Sequence, residues 1–119
     1  MDQPSSSSET LSGATREVIT TCFERTEGML SFEECVLLYR LARDVTSGCI
    51  VEIGSYRGRS ATFLGRGSLD GARVPVYAVD PHKEFVGVLG GVFGPQDRAA
   101  FYRAMLDNGV SEIVSLASA

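Results

Sequence analysis

The chain lacks the residues for a metal or disulfide framework. It has three cysteines, Cys22, Cys35 and Cys49, at wide spacing, and one histidine, His82. An odd cysteine count with no Cys-x-x-Cys pair argues against a structural zinc site and a disulfide scaffold, and suits a reducing, cytoplasmic setting. All three cysteines read as small buried hydrophobes. No run of about 18 apolar residues occurs, so no membrane partner is expected. The opening MDQPSSSSETLS lacks the basic start and apolar stretch of a secretion signal. Basic residues are in deficit: the net charge is −4. Counterion release needs a basic face, so no nucleic-acid partner is expected. No internal repeat is visible.

What is there belongs to a small globular domain. The chain has 119 residues, 44% of them hydrophobic and 22% charged, which excludes wholesale disorder. Residues 1–12 are rich in serine and read as a disordered tail, followed by a domain over 13–119. The spacing of Val18, Ile19, Cys22 and Phe23 predicts a first short helix over 14–27, ended by Gly28. A second helix is predicted over Ser31–Asp44. Ser31 and Glu34 form a capping box, Leu30 staples onto Cys35, and Cys35, Leu38, Leu41 and Ala42 share a face.

Cys49–Ile53 is short, β-branched and apolar at nearly every position, which predicts a strand buried on both faces of a parallel sheet. A tight turn spans Gly54–Gly58. A helix follows from Arg59 to about Gly67, weakened by Gly65. Val76–Val79 is a second strand and ends at Asp80-Pro81. Residues 86–94 hold four glycines and read as a mobile loop. Pro95 suits the first turn of a helix over Gln96–Asn108, with Phe101, Ala104 and Met105 on its apolar stripe and Gly109 as its stop. Ile113–Leu116 is a third strand. Strands alternating with helices predict right-handed crossovers and an α/β fold. The class is a Rossmann-like doubly wound parallel sheet with only its first three strands present, preceded by one or two helices.

The informative segment is Val51-Glu52-Ile53-Gly54-Ser55-Tyr56-Arg57-Gly58-Arg59-Ser60. A strand enters a glycine turn and then a helix N-terminus, where unpaired N–H groups and the helix dipole favour polar or anionic ligand groups. Gly54 allows the sharp turn, and Gly58 allows a ligand close to the backbone. Arg57 and Arg59 read as solvated charges. The G-x-x-x-G spacing, with Tyr56 in the middle, lacks the central glycine of a dinucleotide fingerprint, and no Gly-Lys-Ser/Thr occurs. Glu52 stands at the carboxyl end of the strand, where open α/β sheets bind ligands, and a carboxylate there suits a cationic group. Asp80 ends the second strand, 22 residues after Gly58, where a carboxylate can accept from both ribose hydroxyls. Each also has a plainer reading: Glu52 as a helix-capping acid, the glycines as turn residues, Asp80 as a strand terminator.

Taken together, these residues resemble the class I S-adenosylmethionine-dependent methyltransferases, a bacterial small-molecule O-methyltransferase-like subgroup included. Glu52-x-Gly54-x-x-x-Gly58 looks like the family's first motif, and Asp80 like its ribose-binding acid. The likeness covers roughly residues 27–119. It implies S-adenosyl-L-methionine as cofactor, held by Glu52, Gly54, Ser55, Tyr56, Gly58, Ser60, Asp80, Pro81 and His82. Glu52 would lie near the methionine amino group, Asp80 on the ribose, and Pro81 and His82 near the adenine. The strands that carry the family's substrate site are not among these residues, so no catalytic residue and no metal ligand is assigned. The expected function is the cofactor-binding half of an enzyme that methylates a small molecule and is inactive as this chain alone. The alternatives are a non-catalytic, truncated nucleoside-binding or interaction module and, against the missing glycine, an NAD-linked enzyme. The expected partner is a C-terminal half or, through an open edge at Cys49–Ile53, a second copy of the chain.

Overall fold

The structure, a computed structural model, describes residues 11–54, 57–80, 85–86, 92–93 and 95–117. The elements run α1 (Gly13–Arg25), α2 (Phe32–Arg43), β1 (Ile50–Ile53), α3 (Arg59–Asp70), β2 (Val76–Val79), β3 (Phe85–Val86), β4 (Val92–Phe93), α4 (Pro95–Asp107) and β5 (Val114–Ala117). The alternation read from the sequence is therefore present. β1, β2 and β5 form one parallel sheet in that order, with Ile50 beside Val76 and Val76 beside Val114. Among the described residues no helix is long and apolar enough to cross a membrane.

Local chemistry sets the boundaries. Ser12 caps α1 by accepting from the Thr15 amide, and Leu11 is buried against Ile19, Cys22 and Cys35, so the last two residues of the expected tail belong to the fold. Residues 1–10 lie outside the described residues. α1 ends at Arg25, before Gly28. Thr26 turns extended there, and its hydroxyl donates to the Cys22 carbonyl at 2.9 Å. The Ser31–Glu34 capping box of α2 is present in both directions.

Two apolar clusters hold these elements. In one, α2, α3 and α4 pack against one face of the sheet through Ala42, Ala61, Leu64, Val76, Ala78, Phe101, Met105 and Val114. In the other, Leu11, Ile19, Cys22, Cys35, Tyr39 and Phe63 join α1 and α2 to the outer side of α3. Three expectations need correction here. β1 is not buried on both faces: Val51 is 56% and Ile53 77% exposed, and Tyr77 beside them is 41% exposed. Both crossovers step the same way across the sheet and so lay α3 and α4 on the same face, leaving the other bare among the described residues. Cys49 is exposed, unlike Cys22 and Cys35. Within the expected loop over 86–94, Val86 and Val92 pair antiparallel in a small hairpin with Phe85 and Phe93.

α3 runs past Gly67 to Asp70 despite its glycines. Those glycines are where α2 and β5 touch it. A Cβ on Gly65 would fall 2.8 Å from Val114 Cγ2, and one on Gly67 would collide with the Tyr39 carbonyl and lie 2.9 Å from Ala42 Cβ. Close packing thus outweighs the weak helix propensity. A Gly67→Ala substitution should gain about 1 kcal/mol of propensity. It should lose more to overpacking against fixed backbone, since such insertions cost about 1–3 kcal/mol or above. The expected outcome in a thermal melt is a net fall of roughly 5–15 °C; a rise would mean that α2 and α3 do not meet backbone to backbone.

Candidate functional site

The carboxyl ends of β1 and β2 are fixed by the sheet itself. The Gly54 amide donates to the Val79 carbonyl at 2.8 Å, and the Asp80 amide donates to the Ala117 carbonyl at 3.1 Å. Both residues are thereby held level with each other at one end of the sheet. Gly54 has φ +85° and Gly58 φ +97°, which only glycine adopts without strain. A Cβ on Gly54 would meet open space. Gly58 differs from the expectation of an open backbone. It is buried, and a Cβ there would sit 3.0 Å from Met105 Cε and 3.3 Å from Ala104 and Phe101. Its missing side chain lets α4 close on the turn.

Gly58 is also the N-cap of α3 and gives no side-chain hydrogen bond to the helix. The first amides of α3 therefore have no side-chain cap. Ser60, the second residue of α3, is half-buried in that first turn. Ser55, Tyr56, Pro81 and His82, also expected at the site, lie outside the described residues.

Glu52 carries the clearest chemical signature. It alternates with the exposed Val51 and Ile53 and so faces the covered side of the sheet. Its Oε1 is buried with no hydrogen-bond partner among the described residues. Burial pushes its carboxyl up to about 7, and the negative charge of Asp80 adds to the rise. An acid left buried, unpaired and close to a second acid is a group set up to meet a cation. The plainer reading of Glu52 as a helix cap finds no support, since no amide of α3 is bonded to it.

The sequence reading missed how the turn is secured. Arg57 and Arg59 are not solvated. Arg57 Nε donates to Asp97 Oδ1 at 2.7 Å and Arg57 Nη1 to Glu27 Oε1 at 2.5 Å, joining the turn to α4 and to the α1–α2 connection. Arg59 donates to Thr26 Oγ1 and to the carbonyls of Phe23, Thr26, Gly28 and Leu30. Its guanidinium also lies 4.0 Å over the Phe23 ring. The one available signal was Asp97 in the first turn after Pro95, and position alone does not tell a surface acid from a buried one. Cys22 and Cys35 are inert by environment: burial raises both thiols, Cys35 to about 11.

No protein-family model matches the sequence, and no curated protein matches it significantly. Solved structures do match. Rv0187 from MTB, in a cofactor-bound form, is 17% identical with a TM-score of 0.57, over 98% of this chain and 52% of its own. The SAH-bound methyltransferase PaMTH1 of Podospora anserina is 24% identical with a TM-score of 0.60, over 92% of this chain and 43% of its own. The O-methyltransferase TomG from Streptomyces achromogenes, involved in tomaymycin synthesis and bound to SAM, is 19% identical with a TM-score of 0.55, over 90% and 43%. This chain thus spans about half the length of the structures it resembles. Three parallel strands with helices between them, matched across nearly the whole chain, give it the Rossmann-like α/β fold of those structures over the part that it spans.

Proposed function

We propose that this chain binds S-adenosyl-L-methionine at the carboxyl ends of β1 and β2 and serves as the cofactor-binding half of an enzyme that methylates a small molecule in the cytoplasm. The observation that carries this reading is the buried, unpaired Oε1 of Glu52 at the end of β1, beside Asp80 and the Gly54 turn. Its carboxylate would take the amino group of the methionine moiety. Asp80 would accept from the ribose hydroxyls, and the turn through Gly54, Ser55, Tyr56 and Gly58 into Ser60 would supply backbone groups. Pro81 and His82 follow Asp80 directly and would border the adenine. Bound there, the sulfonium supplies an activated methyl group for a nucleophilic oxygen or nitrogen of the acceptor. What these residues contribute is orientation, which is most of what such a transfer asks of a protein. The SAM- and SAH-bound neighbours support the choice of cofactor.

The test is ligand preference. S-adenosylhomocysteine should raise the melting temperature of the chain more than NAD does. Asp80→Ala should keep the fold and weaken S-adenosylhomocysteine by roughly ten- to a hundredfold, the worth of a charge-assisted hydrogen bond. An equal or larger shift with NAD would sink the reading.

Glu52 adds a pH dependence. Its folded pKa is raised, to about 7 from 4.5, so the folded chain holds a proton that the unfolded chain gives up. Stability should therefore decline as pH rises from about 4.5 to about 7, and this decline should vanish in Glu52→Gln. A cationic ligand reverses the preference by favouring the ionised acid. Affinity for S-adenosylhomocysteine should then tighten as pH rises through 7, with a proton released on binding. Calorimetry in buffers of different ionisation enthalpy reads that proton, and no release at pH 6 would separate Glu52 from the ligand's amino group.

The bare sheet face favours a second element of the proposal: this chain alone binds without transferring. Val51 and Ile53 lie on the free edge strand as well as on the bare face, and parallel sheets are ordinarily covered on both sides. Until another polypeptide segment covers them, copies of the chain should associate there. Light scattering should give a mass above the 12.8 kDa of one chain, and Ile53→Lys should restore that value. A stable 12.8 kDa monomer that transfers methyl groups would refute it.

A further inference from the structure

We propose that Arg57 is the positioning residue of the glycine turn, holding its backbone in the binding shape through the buried carboxylate of Asp97; the inference rests on the turn being the cofactor site. Between β1 and α3 the chain passes through two left-handed glycines, Gly54 and Gly58. Glycine restricts the backbone least of all residues, so neither Gly54 nor Gly58 fixes its own conformation. The ends of the turn are fixed by other means. Gly54 is tied into the sheet through Val79, and Gly58 is seated against Met105, Ala104 and Phe101 of α4. The segment between them has one described side chain, and that is Arg57.

Two described carboxylates that Arg57 meets, Glu27 and Asp97, are unequal. The Glu27 side chain is 69% exposed, so its pair with Arg57 is screened by water and contributes little. Asp97 is 2% exposed, in the first turn of α4, and receives Arg57 Nε at 2.7 Å. A buried carboxylate needs its charged partner, so this contact locates the guanidinium, and with it the turn, relative to α4. The Arg57 side chain reaches away from the strand ends toward α4 and the α1–α2 connection. Its contribution to a ligand would pass through the backbone it holds. Displacements on the scale of an ångström are enough to cost roughly a hundredfold in a positioned site.

The test compares affinity with stability. S-adenosylhomocysteine titrations are run well below the thermal midpoint of each variant, with circular dichroism as the check on folding. Arg57→Met should weaken binding by roughly tenfold or more. Glu27→Gln should stay within about twofold of the parent, because its pair is exposed. Arg57→Lys should fall between parent and Arg57→Met, since an ammonium restores the charge against Asp97 but not the planar fork. The double variant Arg57→Met/Asp97→Asn also removes the buried charge of Asp97 and supplies a folded protein if the single variant unfolds. It too should bind weakly, because the tether is gone while stability is recovered. A merely structural role would lower melting temperatures and leave these affinities alone. Parent-like affinity in the folded Arg57→Met or double variant overturns the proposal by itself. Failure of the parent chain to bind S-adenosylhomocysteine overturns the cofactor reading on which it stands.

Discussion

The joint between α1, the α1–α2 connection and the start of α3 depends on the Arg59 guanidinium. Arginine has five N–H donors in a rigid plane, and Arg59 uses all five on the C-terminal end of α1 and the connection to α2. Phe23 closes one face of that plane. Carbonyls at a helix C-terminus carry partial negative charge and have no partner of their own, so a guanidinium is the natural group to collect them. Because Arg59 is the first residue of α3, directly after Gly58, one side chain fixes both where α1 stops and where α3 starts. A lysine could not substitute, since an ammonium has three donors and no plane to lay against a ring. The neighbouring Arg57 performs a related task with carboxylates in place of carbonyls, pairing with Glu27 of the α1–α2 connection and Asp97 of α4.

The helical side of the sheet then follows from close approach. Gly65 and Gly67 bring α3 against β5 and α2, and Gly58 brings α4 against the turn. Each is a place where a methyl group would have to occupy space already held by a neighbour. The same economy explains the bare side. Two crossovers in one direction lay α3 and α4 on one face, with α2 beside them, and Val51, Ile53 and Tyr77 face away from these helices. The chemistry of those side chains is that of a buried strand. Their environment here is solvent.

Much of this was legible in the sequence, and what was not failed for physical reasons. The order of strands and helices followed from apolar periodicity, and the ends of α2 and α4 from Ser31, Glu34 and Pro95, because caps and proline act locally. Both left-handed glycines of the turn were legible as glycines between strand and helix. Propensity misjudged α3, since its glycines answer to α2 and β5, contacts made across the chain. Apolar patterning misjudged β1 in the opposite sense: side chains suited to burial do not reveal whether something covers them. Arg57 and Arg59 were misread, and Asp97 was not singled out, because a charged residue looks alike on a surface and in a buried pair. Of the expected site, Glu52, Gly54, Gly58, Ser60 and Asp80 fall within the described residues, and the first four lie on the path from β1 into α3.

The contrast between Glu52 and its surroundings bears on what this end of the sheet is for. Several polar groups near the core have partners: Ser68 donates to the Val74 carbonyl, Tyr39 to Asp70, and Arg59 to five acceptors. Among the described residues, Glu52 contributes the only carboxylate oxygen that is buried without a partner. An unpaired carboxylate costs more to bury than a hydroxyl or amide, and here it also faces a second acid. No described hydrogen bond gives a packing reason for it. A buried acid left uncompensated beside an open glycine attracts positive charge to that place. Under the proposed reading that place is where a ligand ammonium would restore the missing partner, so the local instability of the strand end and its affinity for a cation are the same interaction seen without and with its second half.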